Sequence, residues 1–249
     1  MRQLVFAPLR LFAIPTHCFA TNWWRHAGLA ALFCLAGFGA SAQDAAAADA
    51  YHEHLLQTYY HHPDKQVVAL TIDYLNRHCV DSTQKAILQS RGQVYVGFLT
   101  ALMAQDTAKR TQLHALTSQI NDPSFRQLLA SLLPLMPARL FTALPPTPSY
   151  NDMAWAAYFA TGEPQYLNLL IRNCRYAVER KNMNLYVTGA SARWSLCAMA
   201  RQDSLVQQYL LTQRTSKEVQ LILRADPSAL RQQITEVTAQ NQQRGGWKH

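Results

Sequence analysis

Asn151-Asp152-Met153-Ala154-Trp155-Ala156-Ala157-Tyr158-Phe159-Ala160-Thr161-Gly162-Glu163-Pro164-Gln165-Tyr166-Leu167-Asn168-Leu169-Leu170-Ile171 is the stretch from which the fold can be read. Trp155, Tyr158 and Phe159 recur at helical spacing, and so do Tyr166, Leu167, Leu170 and Ile171. Between them, Gly162 is placed to end one helix and Pro164 to begin the next. Asn151 or Asp152 is the candidate N-cap. Two helices joined by a tight turn follow. Thirty-nine residues on, the pattern returns: Trp194 is followed at +11, +12, +15 and +16 by Leu205, Val206, Tyr209 and Leu210, with Asp203 as the intervening cap. This is the spacing of stacked helical hairpins, although antiparallel pairs in an ordinary bundle produce it too. The expected fold is therefore all-α, either α-solenoid-like or an irregular helical bundle.

The same reading extends in both directions. Downstream, Val219–Leu223 is a short helix, and Asp226-Pro227 opens a last one carrying Leu230, Ile234 and Val237; Gln240–His249 has no apolar stripe. Upstream, Leu55, Leu56, Tyr59 and Tyr60 form one face, after an Ala-rich 43–50 expected to fray. Asp64 is a cap for a helix with Val68, Ile72, Leu75 and Cys79. A long helix is expected over 83–105, with Gly92 and Gly97 inside it marking close packing or a kink. Asp106 caps a helix ending near Ile120, and Asp122-Pro123 opens one with Phe125, Leu128, Leu129, Leu132 and Leu133. Five of the eleven prolines then fall between Pro134 and Pro148. This segment separates 43–133 from 149–249, and each half alone is small for its own core, so one helical domain over 43–249 is expected. Only nine glycines occur, with no Asn-Gly or Asp-Gly, which argues against a β-sandwich or barrel.

Residues 1–42 read as a signal peptide. Arg2, Arg10 and Arg25 are the only charges before Asp44, Ala27–Ala40 is an apolar run, and Ala40-Ser41-Ala42 supplies small residues for cleavage before Gln43. Fourteen helical residues span ~21 Å, short of a hydrocarbon core of ~30 Å, so no membrane span is expected after cleavage. The expected location is periplasmic or secreted. Removal of 1–42 leaves twenty Lys and Arg against fifteen Asp and Glu, a net of +5 over 207 residues. That thin spread lacks the clustering a nucleic-acid partner requires.

Asp152-Met153-Ala154-Trp155-Ala156-Ala157-Tyr158-Phe159-Ala160-Thr161-Gly162 resembles a D-x-x-W-x-x-[FY]-F-A-T-G motif found in a group of exported, all-helical bacterial proteins of uncharacterised activity. Arg193-Trp194-Ser195-Leu196 resembles the W-S-L partner motif of that group, and Gly97-Phe98 with Asp106 resembles an upstream element. The likeness covers about 97–210. It implies fold and export, and brings no catalytic residue with it.

Reactive constellations are scarce. His54, His61 and His62 are the candidate metal ligands, in a cluster that also holds His52, Glu53 and Asp64. No H-E-x-x-H occurs, and His52 and His54 point apart on a helix. Gly189-Ala190-Ser191-Ala192-Arg193 begins like a nucleophile elbow but ends in Arg and lacks a preceding strand. Glu163 is a candidate acid, set against a turn role. No phosphate-binding glycine loop is present, and no cofactor is expected. Cys79, Cys174 and Cys197 remain after cleavage, and Cys174–Cys197 is the candidate disulfide, against three buried thiols. Trp155, Tyr158, Phe159, Tyr166 and Trp194 could line a ligand or partner groove, or pack as core. Arg172, Arg175, Arg180 and Lys181 form a modest basic stripe.

The function expected from these features is an exported, non-enzymatic helical module that binds another protein in the envelope or outside the cell. The alternatives are a periplasmic or secreted hydrolase or metal-dependent enzyme, and an immunity or chaperone-like partner of a secreted protein.

Overall fold

Caps and prolines decide where the helices begin. The computed structural model describes residues 40–80, 82–134 and 137–243, and among them the chain is all-helical. The elements in order are α1 (Ala40–Thr58), α2 (Val67–His78), α3 (Ser82–Ser90), α4 (Gly92–Gln105), α5 (Thr107–Thr117), α6 (Pro123–Leu132), α7 (Pro137–Ala143) and α8 (Pro148–Thr161). There follow α9 (Pro164–Asn173), a 3₁₀ segment (Cys174–Val178), α10 (Met183–Met199), α11 (Ser204–Thr212), α12 (Lys217–Arg224) and α13 (Pro227–Gln243). The apolar run over 27–39 and the tail over 244–249 lie outside the described residues. No helix among those described is long and apolar enough to cross a membrane.

Asp106, Asp122 and Asp203 each accept two backbone N–H bonds at the start of α5, α6 and α11; Asp106 and Asp203 are the caps the sequence leads one to expect, and at α6 the expected proline in the first turn is joined by the Asp122 cap. Gly162 closes α8 in the left-handed region at φ 71°, and Pro164 opens α9. Elsewhere the structure differs. The cap of α8 is Thr147, whose hydroxyl accepts from Tyr150 N, so Asn151 and Asp152 lie inside the helix. Pro148 at the first turn moves the start upstream. The Ala-rich 43–50 is helical and continuous with α1, consistent with the high helix propensity of alanine. The expected 83–105 helix is broken at Arg91 into α3 and α4. After Asn173 the chain tightens from α9 into the 3₁₀ segment.

One apolar cluster runs from Leu55 in α1 to Ile222 in α12. Leu75, Leu99, Leu113, Ile120, Leu129, Met153, Leu167 and Leu170 are wholly buried in it, each such side chain contributing about 1.5–3 kcal/mol relative to exposure. The pairing of α4 with α8 joins the two sides of the Pro-rich 134–148 segment within a single unit from Ala45 onward. Gly97 permits it, since a Cβ there would overlap the Met153 carbonyl. Gly189 does the same for the 3₁₀ segment, where a Cβ would overlap the backbone of Tyr176 and Ala177. Tyr186 and Ala190 of α10 form a smaller cluster with Met183, Val187 and, from α13, Ile234 and Val237.

Candidate functional site

The aromatic residues of the two-hairpin pattern are core rather than groove. Trp155, Tyr158, Phe159 and Tyr166 are between 2% and 7% exposed, which corrects the expectation of an open lining. Trp155 donates from Nε1 to Ser195 Oγ at 2.9 Å and stacks on Phe159 at 5.5 Å. Tyr60 packs on Tyr158 and Phe159, and Tyr166 on Phe141. Burial pushes the Tyr158 and Tyr166 hydroxyls up to about 12. Trp194, the counterpart of Trp155, is only half-buried. The two hairpins share a spacing but not an environment.

Beneath Trp155, a polar knot ties α8 to α10 and the end of α9. Asn151 Nδ2 donates to Thr188 O at 2.7 Å and to Ser191 Oγ at 3.0 Å, while Asn173 Nδ2 donates to Asn151 Oδ1 at 2.8 Å. Ser191 donates to Thr188 O inside a regular helix, so it occupies no strained turn. Glu163 is exposed at the start of α9 and makes no capping bond. Asp152, beside Asn151, has its carboxyl pushed up to about 7 by burial. Its neighbours in sequence gave no hint of this, because a carboxylate before a helix ordinarily reads as a cap.

The three candidate metal histidines do not converge. His54 is exposed on α1, where Thr58 bonds back to its carbonyl at 2.9 Å. His61 Nε2 lies 3.0 Å from Asp203 Oδ2, and the His62 ring centroid is 6.1 Å from that of His61. Among the described residues no three His, Cys, Asp or Glu side chains are placed to hold a metal. The His61–Asp203 pair spans 142 positions of sequence, which is why spacing could not find it. Asp203 uses its other oxygen to cap α11 at Leu205 N and Val206 N.

Cys174 and Cys197 are separate thiols, which corrects the expected disulfide. Cys174 Sγ donates to Leu170 O at 3.3 Å and Cys197 Sγ to Ala225 O at 3.2 Å, and Cys79 is free as well. Burial pushes all three thiols up, Cys174 furthest, so none is primed as a nucleophile. The basic stripe is largely engaged locally. Arg175 lies 4.7 Å from the Tyr176 ring centroid, Arg180 lies 5.8 Å from that of Tyr186, and Glu179 accepts from the Arg180 and Lys181 amides.

An accessible feature is found instead on the outer face of α12. Val219 and Ile222 are wholly buried, and Arg193 forks onto Glu218 at 2.6 and 2.9 Å, so the helix is held firmly. The opposite face carries Lys217, Gln220, Leu221 and Arg224 at i, i+3, i+4 and i+7, one continuous stripe. With Ala225 they line a depression of about 390 Å³. Leu221 is 42% exposed within it, and Arg201 reaches the Ala225 carbonyl at its edge. Leu205 and Leu211 are exposed on the neighbouring α11. Leucine between two cations at helical spacing is visible in Lys217–Arg224, though only the burial of Val219 and Ile222 says which face is outside. The arrangement offers apolar contact beside positive charge, the elements of a binding surface. Comparison with known proteins returned no match to the chain from any family model, curated protein or solved structure.

Proposed function

We propose that the chain is an exported, non-enzymatic helical module that binds another protein, and that the outer face of α12 is the docking surface. The observation that carries this reading is Leu221, left exposed between Lys217 and Arg224 on a helix whose other face is locked into the core. The partner suited to it is an acidic segment bearing an apolar side chain. Carboxylates would pair with Lys217 and Arg224, and the apolar group would cover Leu221. Export rests on the leader pattern over 1–42 and on the resemblance carried by the Asp152–Gly162 and Arg193–Leu196 motifs.

The test is capture from an envelope extract by the purified mature chain, compared with a variant carrying Lys217→Glu, Leu221→Glu and Arg224→Glu. Capture of an acidic protein that weakens with salt and disappears with the variant is expected. A monomer on size-exclusion chromatography that captures nothing at any ionic strength, or equal capture by the variant, overturns the proposal.

A second reading, a hydrolase or metal-dependent enzyme, draws on the His61–Asp203 pair, an imidazole oriented by a buried carboxylate. Metal analysis of the purified protein separates the two. About one equivalent of bound Zn²⁺, lost in His61→Ala, would favour the enzyme.

A further inference from the structure

His52 lies in the first helix and is 1% exposed. Its Nε2 is 3.2 Å from Thr71 Oγ1, and the Thr71 hydroxyl already donates to Val67 O at 2.8 Å. The threonine oxygen must therefore accept, which places the imidazole proton on Nε2. Nδ1 is then a bare lone pair, and it is buried with no hydrogen-bond partner. The ring stacks on Tyr74 at 4.3 Å and 20°, and Tyr95 lies to one side of that stack, 6.2 Å from the His52 ring and 6.3 Å from that of Tyr74. The Tyr74 ring carries the stack on to His78 at 4.1 Å.

A second proton on this ring would have no acceptor and would bring a charge into a dry pocket. The surrounding charges do not compensate. On α1, Asp49 and Glu53 face the site. Asp49 is engaged by Arg77 at 2.8 Å and by His78 Nε2 at 3.2 Å, and Glu53 by Arg91 at 2.8 Å. On α2, Arg77 adds positive charge and Tyr74 offers only its ring face, worth less to a cation than the water it would give up, while Tyr95 of α4 lies beside the stack.

We propose that His52 is an acid-responsive latch that holds the Ala45–Glu53 part of α1 against α2 and α4, and that its protonation lets this segment peel away. The segment is built for local opening. Residues 46–48, 50 and 51 are exposed, so Asp49, His52 and the Glu53–Arg91 ion pair supply its inward contacts, while Leu55, Leu56 and Tyr59 anchor the rest of the helix in the core. Burial holds the folded His52 down at about 4, below its ordinary 6.5, with Arg77 pushing the same way. The closed state is therefore fully favoured above pH 6.5, and that advantage is lost as the pH falls through about 4.

The test is amide hydrogen exchange of the full mature chain at pH 7 and pH 4, corrected for intrinsic rates, with NMR titration of the His52 ring. Protection over 45–53 is expected to fall at least tenfold at pH 4 while α8 keeps its protection, with ring protonation accompanying the opening. His52→Phe keeps the stack but cannot be protonated, and its protection should not depend on pH. His52→Gln serves if the phenylalanine variant does not fold. His78→Gln should retain the response. Unchanged wild-type protection at pH 4, a full response in the His52 variants, or loss of the response in His78→Gln overturns the proposal.

Discussion

Asn151 shows how much one buried polar side chain can decide. It holds α8, α10 and the end of α9 together through three hydrogen bonds, those to Thr188 and Asn173 shielded from water and that to Ser191 partly so. Asn151→Leu leaves the Asn173 amide without its acceptor, and a loss of about 2–3 kcal/mol in urea unfolding is expected. Asp152, one residue on, acts in the opposite sense. Its folded value of about 7 lies above the ordinary 3.8, so it is neutral in the fold at low pH and costs stability as the pH rises through 7. Asp152→Asn should raise stability at pH 8 by about 2 kcal/mol, roughly half the full conversion of the shift because the side chain keeps some contact with water, and should change little below pH 4. Thermal melts at the two pH values check it. Gly97→Ala forces α4 away from the Met153 carbonyl and should cost about 2–3 kcal/mol.

At the scale of elements, the starts of α5 and α11 were legible because an aspartate before an apolar stripe has one strong local use, and that of α6 because proline suits a first helical turn. Asp203→Ala removes both the α11 cap and the partner of His61, and about 1–2 kcal/mol should be lost. A double-mutant cycle with His61→Ala separates the two contributions: coupling above about 0.5 kcal/mol marks the His61–Asp203 hydrogen bond, and none leaves only the cap. The break at Arg91 and the 3₁₀ segment were not legible, since the apolar residues on either side keep a helical period. What interrupts the helices there is where the next packing partner lies. Gly92 has open space around it, whereas Gly97 is pressed against α8, so two similar glycines have different roles that their sequence surroundings do not reveal.

For the whole molecule, Cys79, Cys174 and Cys197 give a direct check. With Cys174 and Cys197 bonded to separate carbonyls, a denatured chain lacking residues 1–42 should titrate three thiols, and a reducing agent should leave its melting temperature unchanged. The reading of Cys174 and Cys197 as neighbours rested on their lying on adjacent predicted helices, but adjacency of helices does not set the direction in which a sulfur points. The candidate site divides in the same way. His54, His61 and His62 are close in sequence yet turn to different surroundings, whereas His61 finds its carboxylate 142 positions away.

Sequence alone determined the helical class, the Asp106 and Asp203 caps and the Gly162–Pro164 turn, because each depends on contacts within a few residues, where spacing and side-chain type suffice. Tertiary structure decided that the aromatic stripe is core, that the thiols stay apart, that His52 is buried against Tyr74 and that α12 presents Leu221 outward. Those outcomes depend on which face another helix covers, and burial against a distant partner leaves no mark in the spacing of neighbours.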